Sequence, residues 1–143
     1  MSTETETRGQ RNLRSVCAGI FMSIGVLHFI RPEFFTRIMP AYLPWHVTLV
    51  YVSGFFEMAG GAGLLIPPVR RIAGYGLLAL LVSVFPANIN MAVNAGEFAD
   101  IGPAWAFWAR LPLQPVLMLL VWWSTLHAAT SRSPHTPNAT RDS

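Results

Sequence analysis

The sequence predicts an all-α membrane protein: a four-transmembrane-helix bundle with a short interfacial helix between spans 1 and 2. Three observations carry this. The composition is 52% apolar and 12% charged, whereas about a quarter of the residues in a soluble domain are charged. Four apolar runs are long enough, at ~1.5 Å per residue, to cross or nearly cross the ~30 Å hydrocarbon core of a bilayer. Every charged residue but Glu57 lies outside these runs, and the segments between them hold six of the eleven prolines and three of the five tryptophans. At 143 residues the chain is one domain's worth.

Residues 1–13 lack apolar periodicity and read as a disordered tail, with residues 14–127 forming the membrane domain. Span 1, Ser15–Ile30, comes after Arg8, Arg11 and Arg14. Basic residues before a short apolar run also begin signal peptides, but the run leads into no small-x-small cleavage site, which favours a retained helix. Pro32–Ile38 is the interfacial helix, in a segment where Phe34, Phe35, Tyr42 and Trp45 mix with Arg31 and Arg37. Span 2 is Val47–Ile66, and Pro67 and Pro68 end it. Span 3, Ile72–Val93, contains Pro86 and is expected to kink near Val82. Asn94–Ala109 reads as a polar connection, Leu111–His127 as span 4, and residues 128–143 as a second disordered tail.

All ten basic residues are Arg. Arg8, Arg11, Arg14, Arg70, Arg71, Arg132 and Arg141 fall on one side of the expected topology, and Arg31, Arg37 and Arg110 on the other. The positive-inside bias then puts both termini of this multi-pass protein in the cytoplasm. The net charge of +3 lies in ends and loops and is no nucleic-acid signature. Cys17 is the single cysteine, so neither an internal disulfide nor a CxxC redox centre exists. Spacings for metal ligands or phosphate loops are missing, so no metal is expected.

The chemistry centres on Glu57, an acid in the middle of span 2. Ser53, Gly54, Gly60, Gly61 and Leu64 share its helical face, while Tyr51, Val52, Phe55, Ala62 and Ile66 cover the other. The small side admits a neighbouring helix, so the carboxyl points into the bundle. An ionisable group there is costly and commonly functional. By helical rise, His28 and Gln114 lie within about a turn of the outer boundary, Asn88 about 8 Å in and Glu57 about 15 Å in. That describes a polar pocket opening outward above an acid. In span 3, Asn90 shares a stripe with Gly76, Ala79, Ser83, Ala87 and Asn94, while Asn88 lies opposite with Leu77, Leu81 and Phe85. Spacing favours Asn90 as the inward residue. A kink at Pro86 rotates the helical turns beyond it, so both remain candidates.

Five short motifs recur together in one order: Gly25-x-x-His28-Phe29, Ser53-Gly54-x-x-Glu57, Gly61-x-Gly63-Leu64-Leu65-x-Pro67, Phe85-Pro86-Ala87-Asn88-x-x-Met91 and Arg110-x-Pro112-Leu113-Gln114. From Leu13 to Trp122 the chain thereby resembles the DoxX family of small four-helix bacterial membrane proteins. The resemblance implies the same bundle in a bacterial cytoplasmic membrane and a link to quinone-coupled sulfur oxidation, because the family is named with subunits of a thiosulfate:quinone oxidoreductase. It marks His28, Glu57, Asn88, Arg110 and Gln114. Three function classes stay open. One is a membrane subunit of a redox system, holding a quinone head near Glu57. Another is a non-catalytic assembly protein whose small-residue faces hold a partner subunit or a second copy of the chain. The third is a carrier of protons or a small solute. Whether the chain is an enzyme is left open.

The Arg asymmetry generates one expectation directly. Reporter fusions at Arg8 and at Ser133 are both expected to read cytoplasm, and a periplasmic signal at either end would overturn the topology.

Overall fold

The computed structural model describes residues 7–127, and every regular element among them is helical. Helix α1 spans Arg8–Ile30, α2 Pro32–Arg37, α3 His46–Leu65, α4 Arg70–Val93 and α5 Ala104–Thr125, with a 3₁₀ turn at Ala95–Phe98. The four longer helices are each long and apolar enough to cross a membrane.

Two boundaries differ from the sequence expectation. The polar tail over residues 1–13 gives way to helix at Arg8. Thr7 Oγ1 accepts from the Gln10 N–H at 3.2 Å, and Gln10 Oε1 accepts from the Thr7 N–H at 3.2 Å. This reciprocal capping box satisfies donors that a helix start would otherwise leave bare, so helix begins a turn before the apolar residues do. The rest of that expected tail, and the one over 128–143, lie outside the described residues. At the other end of the chain, α5 starts at Ala104 rather than Leu111. Pro112 and Pro115 suggest a break, but both sit within the helix. Each removes one backbone donor. Pro103, extended at φ −75° and ψ 145°, is the residue that caps the start. Likewise α4 runs through Pro86 without interruption.

The long helices form a ring in which α1 packs on α3, α3 on α4, α4 on α5, and α5 back on α1. Neighbours are antiparallel. A Cβ built on Gly60 would meet Leu77, and one on Gly63 would meet Ala73, so residue numbers rise along α3 as they fall along α4. Two apolar cores fill the ring at different heights. Near the end that carries Arg8, Arg70 and Arg71, the core is Cys17, Ala18, Phe21, Leu64, Leu77, Leu81 and Val121. At the opposite end it is Ile38, Met91, Ala92, Phe98 and Phe107.

That opposite end is closed by α2 and the α4–α5 connection, joined by a charged clasp. The Arg37 guanidinium donates to both Asp100 carboxylate oxygens, at 2.5 and 2.8 Å, and to the Glu97 carbonyl oxygen at 3.0 Å. Its carbon stands 5.9 Å from the centre of the Phe98 ring. Asn90 adds a second tie, donating to the Ile38 carbonyl oxygen at 3.1 Å and accepting from Asn94 at 2.9 Å.

The clasp's geometry sets its pH dependence. Arg37 beside Asp100 holds that carboxyl below the ordinary aspartate value of 3.8. A carboxyl depressed in the folded state adds stability above its unfolded pKa and loses it as pH falls through the folded one. Wild type is therefore expected to melt above Asp100→Asn at pH 7, and the gap to close only below pH 3.8. Thermal unfolding of the two proteins across pH checks this, and a gap that persisted unchanged at pH 2 would remove the clasp as its source.

Candidate functional site

Between the two apolar cores lies a layer to which each long helix gives one polar side chain: His28 from α1, Glu57 from α3, Asn88 from α4 and Gln114 from α5. They form two pairs.

The first pair depends on glycine. A Cβ on Gly54 would fall 2.5 Å from His28 Cβ and 3.0 Å from the Gly25 carbonyl oxygen. One on Gly25 would fall 2.6 Å from Met58 Cγ and 2.7 Å from the Gly54 carbonyl oxygen. No real Cβ tolerates such distances, so α1 and α3 approach this closely only because both positions are glycine. One turn beyond each glycine stand His28 and Glu57. Side chains lean toward the N-terminus of their own helix. In an antiparallel pair the two lean toward one another, which closes the difference in depth that helical rise alone assigns them. His28 Nδ1 lies 3.4 Å from Glu57 Oε2, and both residues are more than nine-tenths buried.

The surroundings fix the histidine tautomer. His28 Nδ1–H donates to the Ile24 carbonyl oxygen at 2.9 Å. A carbonyl oxygen only accepts, so the hydrogen sits on Nδ1 and the basic nitrogen of the neutral ring is Nε2. The imidazole is also stacked on Phe35 of α2, with ring centres 3.7 Å apart and planes 19° from parallel. Glu57 Oε2 is buried and makes no hydrogen bond within the described residues. An unmatched buried acceptor costs about 1–3 kcal/mol.

The second pair is complete. Asn88 donates to Gln114 Oε1 at 2.6 Å, and Gln114 Nε2 donates in turn to the Leu81 carbonyl oxygen. The latter lies one residue before Val82, the residue whose carbonyl loses its helical donor at Pro86. Extending the register of Gly63 with Ala73 and Gly60 with Leu77 by one turn brings Glu57 level with Leu80 and Leu81. The two pairs thus occupy the same layer.

The spacing-based preference for Asn90 over Asn88 is corrected. The stripe of Gly76, Ala79 and Ser83 faces outward, and Ser83 satisfies its hydroxyl on its own helix, at the Ala79 carbonyl oxygen, 2.9 Å away. The Leu77–Leu81 side faces in and carries Asn88, while Asn90 serves to tie down α2. Arg110 is half-buried, with Nη1 3.5 Å from Met91 Sδ, and forms part of the second core's edge. Phe35 escaped the sequence reading. Its only signal was an aromatic placed just after a proline near the end of α1. A surface groove lined by Met22, Ser23, Val26 and Leu27 lies on the outer side of α1 and includes none of these polar groups. Among the described residues, no three His, Cys, Asp or Glu side chains gather as a metal site would require.

A family model described as a domain of unknown function, DUF8561, matches residues 17–125. No curated protein and no solved structure matches the chain.

The glycine argument can be tested by adding one methyl at a time. Gly25→Ala and Gly54→Ala are each expected to cost about 1–3 kcal/mol through overpacking. Gly76, which meets nothing within 4 Å, is expected to gain up to about 1 kcal/mol as Ala from helix propensity. Thermal unfolding in detergent ranks the three, and equal shifts would show that the helix faces are misassigned.

Proposed function

The chain belongs to the DUF8561 family, and from its site we propose that it is a membrane-spanning quinone-binding subunit whose His28–Glu57 pair holds the quinone head. In this reading the four long helices cross a bacterial cytoplasmic membrane with both termini in the cytoplasm, α2 lies in the outer interface, and the pocket is reached from outside. The observation that carries it is Glu57 Oε2, a buried oxygen with an unmet hydrogen bond beside an imidazole already stacked on a flat ring. A carboxyl in that position accepts a hydrogen bond when ionised and donates one when protonated. A quinone supplies an electron-accepting ring whose carbonyl oxygens take such bonds and, on reduction, protons. Glu57 would meet one carbonyl oxygen, and His28 Nε2, the nitrogen left basic by the Ile24 bond, would exchange the proton. The Asn88–Gln114 pair supports the layer from the far side. The resemblance to the DoxX family points the same way, and in this reading the electrons come from a partner subunit.

An assembly role is the second reading, favoured by the outward stripe of Gly76, Ala79 and Ser83 on α4. There the backbone is accessible to a partner helix.

Titration of the purified protein with decylubiquinone, monitored by quenching of its five tryptophans, separates the two. Saturable binding is expected for wild type, retained within about threefold in Glu57→Gln, which keeps a donor and an acceptor. Glu57→Leu is expected to lose at least tenfold, about the worth of a hydrogen bond in a dry site. No binding by wild type, together with a stoichiometric co-purifying protein, would replace the quinone reading with the assembly one.

A further inference from the structure

The covering of the His28–Glu57 pair is built unlike the rest of the molecule. Everything else around it belongs to long helices packed side by side. The outward side belongs to α2, six residues long. None of those residues is fully buried, and no side chain caps the helix start. A segment with so little buried area sits at the low-stability end of a fold. Yet it is not loose. Phe35 lies flat on the His28 ring at 3.7 Å. Arg37 forks onto Asp100 and reaches the Glu97 carbonyl oxygen. Asn90 holds the Ile38 carbonyl oxygen just beyond. Weak intrinsic stability combined with specific polar ties is what a part that opens and recloses requires.

The geometry points to α2 as a latched lid over the His28–Glu57 pair, with Phe35 as the plug stacked on His28 and the Arg37–Asp100 bridge as the latch. The proposal deepens the quinone reading and rests on it for the ligand's identity, while the lid itself does not depend on what binds. A flat ring is the class of ligand that fits, because the surface it would find on His28 is the one Phe35 now covers, and stacking energy lost from one ring is regained from the other. The latch has a strength suited to the task. Both of its charged groups are about half exposed, at 46% and 62% of side-chain surface. Exposed bridges shift an equilibrium only modestly. Opening then moves Phe34 and Phe35 away from the edge of the second core, while Ile38, the buried residue just beyond α2, stays in it and the bundle remains intact.

The test reads the lid without any ligand. Full-length protein in nanodiscs is treated with diethyl pyrocarbonate, and modification of each histidine is tracked by peptide mass spectrometry. His28 is expected to react slowly in wild type and about two- to fivefold faster in Arg37→Gln and in Asp100→Asn, the range an exposed bridge allows. Phe35→Ala is expected to accelerate it several-fold more, whereas His127, at the opposite end, keeps its rate. The exchanged pair Arg37→Asp with Asp100→Arg is expected to return His28 toward the wild-type rate, which a merely damaged protein would not do. Equal His28 rates in all variants, or no recovery in the exchanged pair, overturns the lid. Adding decylubiquinone to Arg37→Gln then separates the two ideas. Protection of His28 supports the ligand class, and faster labelling without protection retains the lid while removing the quinone.

Discussion

The contact between Gly25 and Gly54 is the constraint on which the rest of the interior depends. Helices whose outer surfaces carry residues as apolar as those within gain little by turning one face inward, so close backbone approach has to choose the face instead. Two glycines a turn ahead of His28 and Glu57 let α1 and α3 meet at a distance no other residue allows. Once they do, the imidazole and the carboxyl have nowhere to go except toward each other. The remaining helices complete the layer at that height, and the two apolar cores fill the ring above and below it.

Much of this was legible in the chain. The small-residue face of α3 is real: Gly54, Glu57, Gly61 and Leu64 are all buried, with Tyr51, Val52 and Phe55 outside. The same reasoning misplaced Asn90, and the contrast is instructive. On α3 the small residues coincide with an acid that has to be sheltered, so composition and burial agree. On α4 a stripe of small and weakly polar residues carries no such burden. Ser83 bonds its own backbone and can face any medium. Leucines such as Leu77 and Leu81 fill the interior equally well, so the pattern held no information about direction.

Prolines misled in a second way. They are read from sequence as ends because a helix in water fills the lost bond with solvent and frays. Within a packed bundle the helix can continue past them, as α5 does through Pro112 and Pro115. Conversely, the start of α1 at Arg8 was written in a short polar signature, Thr7 with Gln10, that apolar periodicity does not sense. The pairing of His28 with Phe35 lay beyond either method. It depends on a chain reversal between α1 and α2, whose angle no local pattern specifies.

The ring order also says how such a chain can be assembled. Three of its four seams join helices that are consecutive in sequence, counting α1 and α3 as successive long helices, so each can form as soon as its second member is made. The fourth seam, α1 with α5, cannot. It is drawn together by Arg14, whose Nη1 donates to the Ser124 carbonyl oxygen across nearly the whole chain. A nascent chain ending before α5 is therefore an open arc with one flank of α1 unclosed, and the last helix to emerge is the one that turns a row of hairpins into a closed body.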